Sequence, residues 1–186
     1  MLADNNHGSQ VFISVIIFAF VTSGEPGGPA GDDGPGLGRL LVQLGFLAAR
    51  RFGELLAPLG LEQRQAGLLK VLAAHEGTSQ QALGEVMGLN ATRMVFLVDE
   101  LEQRGLVERR RNPADRRSHA LYLTDLGRDT LRRTQRVAAA HERGLGASLT
   151  EAERAELVGL LRKVAAEQGV SPDSLPGVLK TGSGPG

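Results

Sequence analysis

The stretch Ser79-Gln-Gln-Ala-Leu-Gly-Glu-Val-Met-Gly-Leu-Asn-Ala-Thr-Arg-Met-Val-Phe-Leu-Val-Asp-Glu-Leu-Glu-Gln-Arg-Gly105 decides the fold. Ser79 precedes a short apolar-periodic run in the manner of an N-cap, and Gly88 stops that run, so a helix to Met87 is expected with Leu83, Val86 and Met87 inward. Asn90 then caps a longer segment. In it Met94, Leu97, Val98 and Leu101 recur at i, i+3, i+4 and i+7, the apolar face of a helix that ends at Gly105. Helix, glycine-containing turn, helix is the spacing of a helix-turn-helix unit.

Working outward, Leu37, Leu40, Leu41, Leu44, Leu47, Ala48, Phe52, Leu55, Leu56 and Leu59 mark one apolar face of a first helix, ended by Pro58 and Gly60. A second helix is expected from Glu62 to about His75, burying Ala66, Leu69, Val71 and Leu72. Past Gly105, Leu106–Arg111 and His119–Thr124 alternate as strands around the turn-rich Asn112-Pro-Ala-Asp-Arg-Arg-Ser118, a hairpin with a cationic tip. Thr124 or Asp125 caps a long helix to roughly Arg143, interrupted by Gly144 and Gly146. Thr150-Glu-Ala-Glu153 opens a last helix to about Gln168 as a capping box does. The fold class is therefore mostly α with a small β-hairpin wing: a winged helix-turn-helix with additional helices at both ends.

Residues 1–36 and 169–186 are expected to lie outside that domain of residues 37–168. The apolar run Val11–Val21 is too short for a membrane span, which needs roughly 20 residues, and no Lys or Arg precedes it as a secretory signal requires. The run reads either as a β-branched strand that pairs with another segment or as part of an upstream extension created by a misassigned start; the latter is favoured, and residues 1–36 are expected to be disordered. The Gly/Pro stretch Gly24–Gly36 reads as a linker, and the tail from Gly169 reads as loose. Gly34, Gly36 and Gly38 lack the third glycine and the Gly-Lys-Ser/Thr of phosphate loops, which argues against a nucleotide site.

Composition excludes several chemistries. With no cysteine among 186 residues there is no disulfide, thiolate ligand or thiol nucleophile. His7, His75, His119 and His141 never stand at metal-ligand spacing, no nucleophile-base motif occurs, and neither metal, cofactor nor enzymatic activity is expected. The net charge of zero hides an uneven distribution. Residues 37–145 hold 17 Lys+Arg against 12 Asp+Glu, most sharply from Arg104 to His119. A basic stripe of this kind in a helix-turn-helix context is the electrostatic footprint of a nucleic-acid partner.

The residues from Ser79 to Arg93, then Leu97-Val-Asp-Glu-Leu-Glu-Gln-Arg-Gly-Leu-Val-Glu-Arg109, Asp115-Arg-Arg117 and Leu123-Thr-Asp-Leu-Gly127, resemble the winged helix-turn-helix of the multiple-antibiotic-resistance regulator (MarR) family. The resemblance covers about residues 37 to 168. It implies a dimeric, sequence-specific regulator of transcription, a ligand-responsive repressor binding a pseudo-palindromic operator in double-stranded DNA. It also implies that terminal helices of the two chains intertwine and that a small-molecule effector, often phenolic or anionic, sits between dimerisation helices and winged domain. By placement Phe46, Arg50, His75, Arg132 and Arg136 are the effector candidates, with core packing for Phe46 and a surface or helix-capping place for His75 as the plainer alternatives.

The residues support the same reading. Asn90, Ala91, Thr92, Arg93 and Phe96 lie on the outer face or edge of the recognition helix. Arg can donate twice to a guanine edge, a Thr methyl can meet thymine, and helix N-termini such as those at Ser79 and Asn90 favour phosphate. Val95 and Phe96 depart from the small polar or basic residues the family often carries there; Phe96 either meets a thymine methyl or tucks into the domain. Arg116 and Arg117 at the wing tip suit a narrow minor groove, and Asp115 is expected to hold a neighbouring Arg extended. Arg109 is counted with the DNA contacts, although one of Arg109, Arg110 and Arg111 is expected to pair with Glu108 or a carboxylate on the long helix. Two faces are too apolar to stand alone, Leu37, Leu40, Leu41 and Leu44 on the first helix and Leu149, Leu157, Leu160, Leu161 and Val164 on the last. We expect them at a homodimer interface that sets recognition helices about 34 Å apart. Two rival readings remain, a winged-helix protein-interaction module without DNA affinity and, less fitting, a dimerisation fragment of an enzyme. The expected compartment is the cytoplasm, at the nucleoid.

Overall fold

A computed structural model describes residues 36–111 and 119–170. In chain order these form α1 (Leu37–Leu56), a 3-10 turn (Ala57–Leu59), α2 (Gln63–Ala74), α3 (Gln80–Met87), α4 (Ala91–Gln103), β1 (Val107–Arg111), β2 (His119–Leu123), α5 (Asp125–Leu145) and α6 (Glu151–Glu167). The mostly helical fold with one antiparallel hairpin agrees with the class read from the sequence. By internal packing the chain divides into one unit ending at Arg51 and a second beginning at Phe52. In the first, Leu37, Leu40, Leu41, Leu44 and Phe46 of α1 are exposed. The second holds the core. Residues 1–35, 112–118 and 171–186 lie outside the described residues, and with them the readings made for the apolar run, the wing tip and the tail.

Short polar residues with extended backbone set the helix starts. Ser79 Oγ accepts the Ala82 N–H at 3.2 Å, Asn90 Oδ1 the Arg93 N–H at 2.9 Å, and Thr124 Oγ1 the Gly127 N–H at 3.0 Å. Thr150 and Glu153 complete a reciprocal capping box at α6. Each supplies an acceptor to a first-turn amide that has no partner within the helix. At the other end of α3, Gly88 takes the left-handed conformation, φ 62°, that a Cβ disfavours. α1 stops three residues short of Leu59. Pro58 disfavours helical backbone at the residue before it, and the chain tightens into the 3-10 turn instead.

The core of the second unit gathers Leu56 from the end of α1, Leu68, Leu69 and Leu72 from α2, Leu83 from α3, Met94, Val98 and Leu101 from α4, and Val107, Leu121 and Leu123 from the hairpin. Each such side chain gains about 1.5–3 kcal/mol over exposure. α2 is central and buries Gln65, Ala66, Leu68, Leu69, Val71 and Leu72, more of its circumference than a single amphipathic face. Val86 departs from expectation and is 48% exposed. Eight residues give α3 only a narrow contact, made by Leu83, Gly84 and half-buried Met87, and Val86 falls to one side of it. Gly84 is itself part of the fit, since a Cβ there would come to 3.1 Å from the Leu89 carbonyl oxygen.

β1 and β2 pair with Val107 opposite Leu123 and Arg111 opposite His119. The joint into α5 is steric as well as polar. Thr124 donates its N–H to the Leu106 oxygen and its hydroxyl to the Gly105 oxygen at 2.6 Å. A Cβ on Gly127 would lie 2.0 Å from the Leu106 oxygen, so only glycine admits this approach. α6 buries none of its residues: Leu157, Leu160 and Leu161 are exposed, as is Leu149 before it, and Val164 is half-buried.

Candidate nucleic-acid interface

α4 has two faces with different tasks. Met94, Leu97, Val98 and Leu101 are buried, which fixes the helix on the core by the residues that the periodicity singled out. Asn90, Ala91, Thr92 and Arg93 are exposed at its N-terminal end, with Val95 and Phe96 on the outside beyond them. Phe96, for which two placements were open, points away from the core with 65% of its surface exposed. The first turn therefore presents a polar tip at the positive end of the helix dipole, where an anion is favoured.

Ser79 is half-buried and spends its hydroxyl acceptor on the cap of α3. Its neighbourhood joins the hairpin. Ser79 forms a bridge to Ala120, the Leu121 N–H donates to Thr78 at 3.0 Å, and the Gly77 N–H donates to Leu121 at 2.9 Å. The start of α3 thus lies along β2 as a third short strand would. Glu76 adds a side-chain link, accepting from the Leu123 N–H at 3.0 Å and from Arg128 at 2.6 Å.

Arg109, expected among the DNA contacts, is placed differently. Its guanidinium reaches inward along β1 to Asp99 and Glu102 on α4 and to Gln80 Oε1 at 3.1 Å on α3, while its backbone N–H donates to Glu102 at 3.2 Å. With 22% of its side chain exposed, Arg109 is a clamp between β1 and α4 rather than a free cation. The carboxylates come from α4, not from the long helix. Sequence reasoning missed them, although Asp99 and Glu102, three apart on one helical face, offered a signal for a shared cation. Arg110 pairs with Glu108 and covers the Tyr122 ring at 4.6 Å, a cation–π contact worth about 0.5–1 kcal/mol at an exposed site. Arg111 is exposed at the end of β1. Asp115, Arg116 and Arg117 lie outside the described residues.

A second missed cluster anchors the far end of α4. Arg104 donates to the Gly60 oxygen at 2.8 Å and to Gln65 Oε1 at 3.2 Å, and buried Gln65 donates to Glu100 at 3.0 Å. Arg104, counted with the basic stripe, is thereby a fastening between α4 and the entrance to α2. Of the effector candidates, Phe46 and Arg50 lie in the first unit, and Phe46 is 64% exposed. His75 is the exposed C-cap of α2, Arg132 pairs with Asp129 one turn away, and Arg136 is exposed on α5. Among the described residues no helix is long and apolar enough to cross a membrane, and no group of three His, Asp or Glu is placed to hold a metal ion.

Comparison with known proteins gives a consistent outcome. A family model described as MarR family matches residues 59–118. The putative transcriptional regulatory protein for the hcr operon of Thauera aromatica is 34% identical over 106 residues, 57% of this chain and 64% of that relative. The chain thus matches slightly less than two thirds of that relative's length. Among solved structures, the transcriptional repressor CouR, bound to a 23-mer DNA duplex, is 36% identical with a TM-score of 0.61, over 69% of this chain and 92% of the other. Wild-type MarR from E. coli, in its apo form, is 27% identical with a TM-score of 0.64, over 72% of this chain and 98% of the other.

Proposed function

This chain belongs to the MarR family, and from that premise we propose that it acts as a homodimeric regulator of transcription that binds double-stranded DNA at a pseudo-palindromic operator. The observation that carries the reading is the division of α4: four buried apolar residues fix it, and an exposed Asn90–Arg93 tip stands beside a hairpin clamped to the same helix. The tip enters a major groove. Arg93 donates to guanine, the Thr92 methyl meets thymine, and the helix ends at Ser79 and Asn90 favour phosphate oxygens. The wing, with Arg111 and then Arg116 and Arg117, follows the backbone toward a minor groove, and Asp115 holds one of those arginines extended. Arg109 serves by keeping wing and recognition helix in one register.

The exposed rows Leu37, Leu40, Leu41 and Leu44, and Leu149, Leu157, Leu160 and Leu161 with Val164, support pairing of two copies. Apolar area left in water is stabilised by about 25 cal/mol per Å² when a second copy covers it. Pairing also doubles the phosphates neutralised, on which affinity at working salt depends. The proposal extends to repression relieved by a phenolic or anionic effector, with Phe46, Arg50, His75, Arg132 and Arg136 as candidate contacts, and to action in the cytoplasm.

The test is fluorescence anisotropy on duplexes selected by the purified chain from a random library, repeated across salt concentrations. If about 6–10 phosphates are neutralised per dimer, log K falls with log salt by about 0.9 per contact. A flat salt dependence, or a lone subunit that ignores duplex DNA in dilute buffer, overturns the proposal.

A further inference from the structure

We infer that the outer face of α4 reads thymine, with Phe96 determining specificity by seating against the C5-methyl group of a thymine in each half-site and Val95 flanking it. The inference deepens the DNA-binding reading above and rests on it.

The core already has the four apolar residues it uses from this helix: Met94, Leu97, Val98 and Leu101 are at most 8% exposed. Val95 and Phe96 are nevertheless apolar and point outward, 41% and 65% exposed. On a 3.6-residue helix Thr92, Val95, Phe96 and Asp99 form one continuous stripe, at i, i+3, i+4 and i+7. One end of the stripe begins at the exposed tip that carries Arg93. The other end is closed by Asp99, which shares the Arg109 guanidinium with Glu102. Between the two ends lies a surface with no donor and no acceptor.

That chemistry narrows the occupant. Pressed on guanine N7 and O6, adenine N6 or cytosine N4, a phenyl ring displaces water from a polar edge and returns no hydrogen bond. The thymine methyl is the apolar feature that a base pair shows in the major groove. A stripe of Thr92 methyl, Val95 and Phe96 therefore favours thymine and disfavours the other three bases. Phe96 stands four residues beyond Thr92, about 6 Å along the axis. With the helix lying along the groove, its thymine falls about two base-pair steps of 3.4 Å from the pair that Thr92 meets.

The experiment uses the full chain and a duplex it selects from a random library. Each thymine is replaced in turn, in both half-sites, by deoxyuridine, which removes only the methyl, and by cytosine and 5-methylcytosine. At one position per half-site, deoxyuridine is expected to weaken binding about fourfold per half-site, the value of one buried methyl. Cytosine should weaken it more, and 5-methylcytosine should restore part of that loss. Phe96→Ala, at an exposed position, should melt like the parent, bind duplex DNA with the same salt dependence, and no longer distinguish thymine from deoxyuridine. Equal affinity of the parent chain for thymine and deoxyuridine at every position overturns the inference while leaving the DNA-binding reading intact. So does a Phe96→Ala chain that keeps the difference. Binding to no duplex at any salt concentration overturns both.

Discussion

α4 and α6 start alike and end in opposite circumstances. Both open on a side-chain cap, Asn90 in one and Thr150 in the other, and both carry leucines and valines at helical spacing. α4 buries four of them against α2, α3 and the hairpin; α6, four residues longer, buries none. The difference separates two sources of order. The winged part holds its shape by a core of its own, whereas α6 presents a row of leucines that only another surface can cover. On the proposed function, a chain built this way would keep the part that meets DNA rigid and leave the spacing between two such parts to pairing.

The sharpest way to break the first half of that comparison is Gly127→Ala. Its Cβ would lie 2.0 Å from the Leu106 carbonyl oxygen, backbone against backbone, at the joint where Thr124 also fastens to Gly105 and Leu106. Neither partner yields as a flexible side chain does, and we expect a loss of about 3 kcal/mol or more, beyond ordinary overpacking. Thermal melting reads it. A chain melting like the parent would show that this joint does not hold the wing to the core.

The second half is broken by Leu157→Glu with Leu160→Glu. Both side chains are exposed in the single chain, so its own fold should change by no more than about 0.5 kcal/mol per substitution. In a paired chain the two carboxylates would be buried without partners, and self-association should fall by about 2–3 kcal/mol, roughly a hundredfold. Sedimentation velocity follows the pairing, and amide exchange in α2 and α4 follows the winged core. If those amides lose protection together with the dimer, the winged part is not self-sufficient and the comparison fails.

These contrasts also mark how far the sequence could be read. Helix starts at Ser79, Asn90, Thr124 and Thr150 were legible because a cap is a local event, settled within three residues. The buried face of α4 was legible because periodicity alone specifies it. Val86 was misjudged because the inward direction of an eight-residue helix depends on what it packs against. Arg109 and Arg104 belong to the basic stripe, but that they are clamped within the fold is not legible in it, for the same reason. Their partners lie up to 45 residues away, and composition does not distinguish a clamped arginine from an exposed one. Gly127 belonged to a recognised motif, but the backbone approach that requires it is visible only in three dimensions. The glycine at 105, by contrast, was read as a helix stop and does take a left-handed φ of 67°.

A smaller effect tests whether the winged part acts as one body. Arg109→Met removes the clamp and leaves Asp99 and Glu102 unneutralised beside a polyanion. Because the two carboxylates are themselves about two-fifths exposed, folding stability should fall by less than about 1 kcal/mol. Duplex affinity should fall further, about tenfold. Adding Asp99→Asn and Glu102→Gln should recover part of that loss. No recovery would mean that Arg109 contacts phosphate itself, which restores the placement first expected from the sequence.

The smallest effect lies at the start of α6, which buries none of its residues and takes its order from local chemistry. The Glu153 carboxylate accepts the Thr150 backbone N–H at 2.8 Å and then the Thr150 hydroxyl at 2.8 Å, and these hold its pKa below the ordinary 4.5. A depressed carboxyl pKa stabilises the folded helix above 4.5 and loses that contribution as pH falls through the folded value. An NMR titration should therefore place the Glu153 midpoint below 4.5, with the first-turn amides of α6 fraying in the same interval. Thr150→Ala removes the hydroxyl but keeps the backbone N–H, the larger of the two causes, so the midpoint should rise toward 4.5 without reaching it. A parent midpoint at 4.5 would show that the box does not form in solution and that the first turn of α6 has no local support.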